Sequence, residues 1–134
     1  MENFENYGKI CHSMNDEGWI RSYNQEIKMA EDSRTAGNEG RARVCARRAV
    51  GILLGEYFHL KDMPDPGPSA MDRINYFLTR TELPAHIREI ASHFIVKIDY
   101  DHQLPIHADL IEEARRLAID LLGYQPIPHP ENSD

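Results

Sequence analysis

The 134-residue sequence contains no apolar run long enough to cross a bilayer. Its opening residues, Met-Glu-Asn-Phe-Glu-Asn-Tyr, have neither the basic end nor the apolar stretch of a secretory signal. A cytoplasmic protein with no membrane association is therefore expected. Cysteine is scarce, with only Cys11 and Cys45. Without an export signal, Cys45 among alanines reads as a small buried thiol and pairing with Cys11 is the less favoured reading. Internal repeats and low-complexity tracts are absent. So are Cys-x-x-Cys and His-x-x-x-His, although there are seven histidines. Asp99, Asp101, His102, His107 and Asp109 could meet in a loop, but a solvated acidic turn ahead of a helix explains them as well. No metal and no cofactor are expected. Gly37 and Gly40 lack the flanking strand and Lys-Ser/Thr pair of a phosphate-cradling loop, and no serine sits in a nucleophile elbow.

Strand signals are nearly absent too, Phe94 to Ile98 being the one stretch rich in β-branched residues. What remains is helical periodicity between clear breakers. Met63-Pro-Asp-Pro-Gly-Pro68 is the strongest of these, since three prolines and a glycine cannot continue a helix. Five segments follow. The first covers about Trp19 to Asp32, with a start that can lie earlier. The second runs from Arg41 to His59, with a stripe of Ala42, Cys45, Ala46, Ala49, Ile52 and Leu53. The third spans Ala70 to Leu78. The fourth runs from Pro84 to Val96 and presents Ile87, Ile90, Ala91, Phe94 and Ile98. The last spans Ala108 to Leu122, with Leu110, Ile111, Ala114, Leu117, Ala118 and Leu121 inward and Glu112, Glu113, Arg115 and Arg116 toward water. Gly123 stands where a helix C-terminus wants glycine. The expected fold is all-α, a bundle of four or five helices forming one domain over residues 1–123. The first 18 or so residues carry less signal, and residues 124–134 form a Pro-rich polar tail.

The net charge of −7 argues against a general affinity for nucleic acid, but not against a local basic site. Eleven of the 15 basic residues are arginine, and five fall between Arg34 and Arg48. Arg41, Arg43, Arg47 and Arg48 lie on the arc of the second segment away from its alanines. They read either as a solvated face, partly neutralised by Glu39 and Glu56, or as an anion- or RNA-binding face, since guanidinium binds phosphate in a bidentate way. Gly51 and Gly55 lie four apart on the same arc and permit a second close helix contact. Together with the alanine stripe they suggest a symmetric homodimer.

The sharpest chemical candidate is Arg88-Glu-Ile-Ala-Ser-His93, placed shortly before the last helical segment. This arrangement, with the alanine-rich second segment, resembles the HEPN (higher eukaryotes and prokaryotes nucleotide-binding) domains over residues 19–122. The nuclease members of that family carry Arg and His separated by four to six residues. The position after the arginine, usually Asn, Asp or His in those members, holds Glu89 here. A second pair, Arg80 and His86, is interrupted by Pro84. The resemblance implies a metal-independent, toxin-type endoribonuclease. In it His93 would move a proton at the ribose 2′-hydroxyl or the leaving oxygen, Arg88 would stabilise charge on the phosphate, and Ser92 would position a water or a phosphate. It also implies, by analogy, a nucleotidyltransferase-like antitoxin partner. Within one straight helix Arg88 and His93 point about 140° apart. They converge only if the helix ends near His93 or across a two-fold axis. The alternative is a non-catalytic helical dimer that binds a protein partner or a small ligand.

Overall fold

The structure is a computed structural model that describes residues 4–96 and 108–124, with side chains described for residues 18–96 and 108–124. Five helices account for it: α1 (Phe4–Thr35), α2 (Glu39–Leu60), α3 (Ala70–Leu78), α4 (Ala85–His93) and α5 (Leu110–Leu122). No strand occurs among the described residues, so the Phe94–Val96 part of the β-branched stretch is not one. No described helix is long and apolar enough to cross a membrane.

Each boundary has a local cause. Gly37 turns the chain between α1 and α2 at a φ of 85°, where a side chain would be strained. Asn38 then caps α2 by accepting the Arg41 amide at 3.0 Å. Ser69 does the same for α3, taking the Asp72 amide. Asp109 caps α5 by accepting the amides of Ile111 and Glu112. The α5 start expected at Ala108 therefore moves to Leu110. At its other end Gly123 is left-handed, with a φ of 67°, and the amides of Gly123 and Tyr124 bond Ile119 and Ala118. The fourth segment stops at His93, three residues short of the expected Val96, in a tight turn where the Phe94 and Ile95 amides bond Ala91 and Ser92.

α2 lies at the centre, packed against α1, α3 and α5, while α4 closes over α3 and α5. The stripe expected from the sequence is the core. Ala42, Cys45, Ala46, Ala49 and Leu53 are fully buried, joined by Val50, Leu54 and Phe58. The small side chains of Ala42, Cys45, Ala46 and Ala49 leave room for the neighbouring helices that pack on α2. Cys45 is a free thiol whose pKa is raised by burial and by the charge of Glu26. Tyr124, placed by sequence with the tail, belongs to the bundle. Its ring packs edge-on to Trp19 and Tyr23, and its hydroxyl accepts from Asn24 at 2.9 Å. Ile98 and the residues from Asp99 to His107 lie outside the described residues, as does the tail from Gln125.

The second glycine contact exists, but inside the chain. A Cβ added at Gly51 would meet the Cα and Cβ of Ala70 at 2.8 and 2.7 Å, and one at Gly55 would meet the Arg73 guanidinium at 2.7 Å. The start of α3 therefore occupies the surface that had suggested a homodimer, and that argument for self-association no longer applies. Arg73 fixes the seam. It donates to the Gly51 carbonyl at 3.0 Å and makes a two-pronged pair with Asp65 in the Pro-rich connection. The Asp65 carboxyl is held below its ordinary range chiefly by that bond.

Candidate functional site

Helix ends leave carbonyls without intrahelical partners, and those carbonyls decide where several of the arginines go. Just past α3, the Arg80 carbonyl accepts from the half-buried Arg88 guanidinium, which donates through Nη1. Just past α4, the Phe94 carbonyl is bonded by Arg47 Nε at 2.8 Å. Burial, with the like charge of Arg43 added, lowers the Arg47 pKa. A guanidinium nevertheless stays charged.

The Arg-His motif is thus divided between two contacts. Arg88 reaches back to the α3–α4 connection, while His93 reaches across to α5, where its Nδ1 lies 2.7 Å from Glu113 Oε1. The helix does end at His93, the condition under which the two could have converged, yet their bonded partners are on different elements. Ser92 turns inward on its own helix, its hydroxyl donating to the Glu89 carbonyl at 2.7 Å. The Glu89 side chain is exposed.

The four arginines proposed as one anion face are not one face. At about 100° per residue, Arg41 and Arg48 flank one edge of the alanine stripe and Arg43 and Arg47 the other. Arg41 and Arg48 are exposed, whereas Arg43 and Arg47 are half-buried. Glu39, expected to neutralise this face, instead pairs with Arg34 at 2.7 Å, and Arg34 also holds the α5 cap Asp109 at 3.0 Å. Glu56 is nearly buried, with 8% exposure.

Glu113 is the residue that sequence reasoning missed. It was assigned to the water-facing side of α5, but only about a fifth of its side chain is exposed, 23% against 19% for His93. Glu113 lines an open groove of about 520 Å³, in which Tyr23, Ile90, Arg116 and Tyr124 also take part. Arg115, on the same side, is occupied by Glu31 and Glu112. Arg116 is exposed and has no ion pair among the described residues. Chemically, the carboxylate fixes one imidazole nitrogen and leaves Nε2 as the one able to exchange a proton. A second groove, of about 390 Å³, opens between the end of α2, the start of α4 and the end of α5. Among the described residues no group of three or more His, Cys, Asp or Glu side chains is placed to hold a metal ion. Comparison with known proteins finds no matching family model, curated protein or solved structure.

Proposed function

We propose that the chain is a non-catalytic helical module, HEPN-like in layout, that binds a protein partner or a small ligand. The observation that carries this reading is the Arg88 guanidinium bonded to the Arg80 carbonyl. A half-buried arginine in that position ties α4 to the connection that follows α3. Withdrawing it toward a phosphate would leave a carbonyl unpaired at a cost of roughly 1–3 kcal/mol. Ser92 is bonded within its own helix as well.

The second reading is the metal-independent, toxin-type endoribonuclease, and the His93–Glu113 pair favours it. A carboxylate on Nδ1 orients an imidazole for proton transfer through Nε2, and Arg116, which shares a groove with Glu113, would then replace Arg88 as the phosphate ligand. The two-fold dimer, the RNA substrate, the nucleotidyltransferase-like antitoxin and the cytoplasmic setting belong to that reading.

One assay separates the two. The purified chain is incubated with single-stranded RNA in EDTA, beside His93→Ala. The binding-module reading expects both to be inert. Cleavage by the wild type that leaves 2′,3′-cyclic phosphate ends and disappears in His93→Ala would replace it with the nuclease.

A further inference from the structure

α1 is much longer than the helices beside it, with 32 residues against 22 in α2 and 13 in α5. Among the described elements it packs only on these two. α5 accompanies it from Arg34, which pairs with Asp109, to Trp19, whose ring lies 5.5 Å from that of Tyr124. α2 accompanies it from the turn at Gly37 back to Trp19 and Ile20, which line one cavity with Glu56 and Leu60. Leu60 is the last residue of α2. Residues 4–15 of α1 therefore run on past the ends of both neighbours, for about 18 Å at 1.5 Å per residue.

This projecting end has an apolar pattern of its own. The buried line of Tyr23, Ile27 and Ala30 continues at helical spacing through Asp16, His12, Lys9 and Glu5, all polar or charged. Phe4, Tyr7, Cys11 and Met14 are three, four and three residues apart and form a second line, about 140° from the first. That spacing is the one by which two helices pack side by side. We propose that the projecting end of α1 is a docking surface for a second copy of the chain, the two apolar lines packing together about a two-fold axis. An unpacked helical stretch of about 12 residues is marginal in water, so a packed partner stabilises it. Aromatic side chains bury roughly 150–250 Å² each. Phe4 and Tyr7 from two copies, with Cys11 and Met14, thus come close to the roughly 1,200 Å² of a small stable interface. The net charge of −7 disfavours an anionic lipid or nucleic-acid surface as the occupant. The surface is separate from the contact at Gly51 and Gly55, which α3 occupies. The inference goes beyond the functional readings and holds under either.

The test is sedimentation equilibrium of the full chain over a concentration series. The expected result is a mass that rises from 15.4 kDa toward twice that value. Phe4→Glu and Tyr7→Glu should each raise the dissociation constant about tenfold or more, because each puts a charge into the apolar seam. Both should leave the urea midpoint of a dilute, monomeric sample unchanged, since they lie outside the bundle. Val44→Glu, a change at an exposed apolar residue of α2, should leave association as it is. A mass of 15.4 kDa at every concentration would overturn the proposal. So would Phe4 and Tyr7 variants that associate like the wild type, or a Val44→Glu chain that no longer associates. A lowered midpoint in both α1 variants would place these residues in the bundle and overturn it as well. A chain that stays monomeric but sediments with phosphatidylcholine vesicles would also overturn it, and would assign the apolar line to a lipid surface.

Discussion

Two helix seams in this bundle are closed by charged groups, and they are closed differently. At the α2–α3 seam Gly51 brings the backbones together, and Arg73 bridges the Gly51 carbonyl and Asp65. At the α4–α5 seam no glycine is involved, and the polar contacts are the His93–Glu113 pair and the longer, more exposed His86–Asp120 pair. The first combines steric fit with a cation that never deprotonates. The second joins an imidazole to a carboxylate, side chains that can withdraw without moving a backbone. Close backbone approach therefore fixes α3 in one position. α4 is held by the buried Ile87 and Ala91 and by polar pairs that are individually replaceable.

The comparison can be broken most forcefully at Gly51. Alanine is the better helix former by roughly 1 kcal/mol, yet its Cβ would strike the Ala70 backbone. Gly51→Ala should therefore destabilise the chain by about 1–3 kcal/mol in urea unfolding. An unchanged or raised midpoint would mean that α3 does not press on α2 there. Gly55→Ala should cost less, because it meets the end of a side chain and not backbone.

Arg73→Met comes next. It leaves the Gly51 carbonyl and Asp65 without their partner, for an expected loss of about 1–2 kcal/mol. It should also change the acid limb of the stability profile. The folded Asp65 pKa is depressed from its ordinary 3.8, mainly by the Arg73 bond. Its contribution is therefore complete above that value and is lost as the pH falls below 3.8 through the folded value. Stability measured from pH 5 downward should fall less steeply in Arg73→Met than in the wild type. Parallel curves would show that Asp65 is not held as described.

At the α4–α5 seam Glu113→Gln should have a smaller effect, about 0.5–1.5 kcal/mol, because the amide can still bond the imidazole. The smallest effects are expected on the exposed edge of α2. Arg41→Gln and Arg48→Gln should each stay within about 0.5 kcal/mol of the wild type. A larger loss at either would mean that the exposed edge contributes to the fold after all.

The sequence disclosed the parts of the fold that depend on spacing alone. The stripe Ala42, Cys45, Ala46 and Ala49 is fully buried. α3 runs from Ala70 to Leu78 as expected after its Pro-rich prelude, and Gly123 takes the left-handed turn expected after the last helix. The candidate site was less legible because its residues answer to groups that exist only after folding. Arg88 and Arg47 are drawn to carbonyls in the turns that follow α3 and α4, and neither spacing nor charge identifies those carbonyls in advance. Glu113 looked solvent-facing on its own helix, since only the arrival of α4 covers it. Gly51 and Gly55 marked a close contact correctly, but the sequence did not say whether the neighbour was another helix of the same chain or a second copy. The splitting of the arginines into two edges was available from helical geometry alone, once each was placed at its own angle.

On the function proposed above, Arg88 holds the bundle through the Arg80 carbonyl and is not kept for a phosphate. The unfolding free energy of Arg88→Met in urea decides this. Loss of the bond to the Arg80 carbonyl should lower stability by about 1–2 kcal/mol, with the dependence on urea unchanged. A stability equal to that of the wild type would contradict the account and return Arg88 to the candidates for phosphate binding.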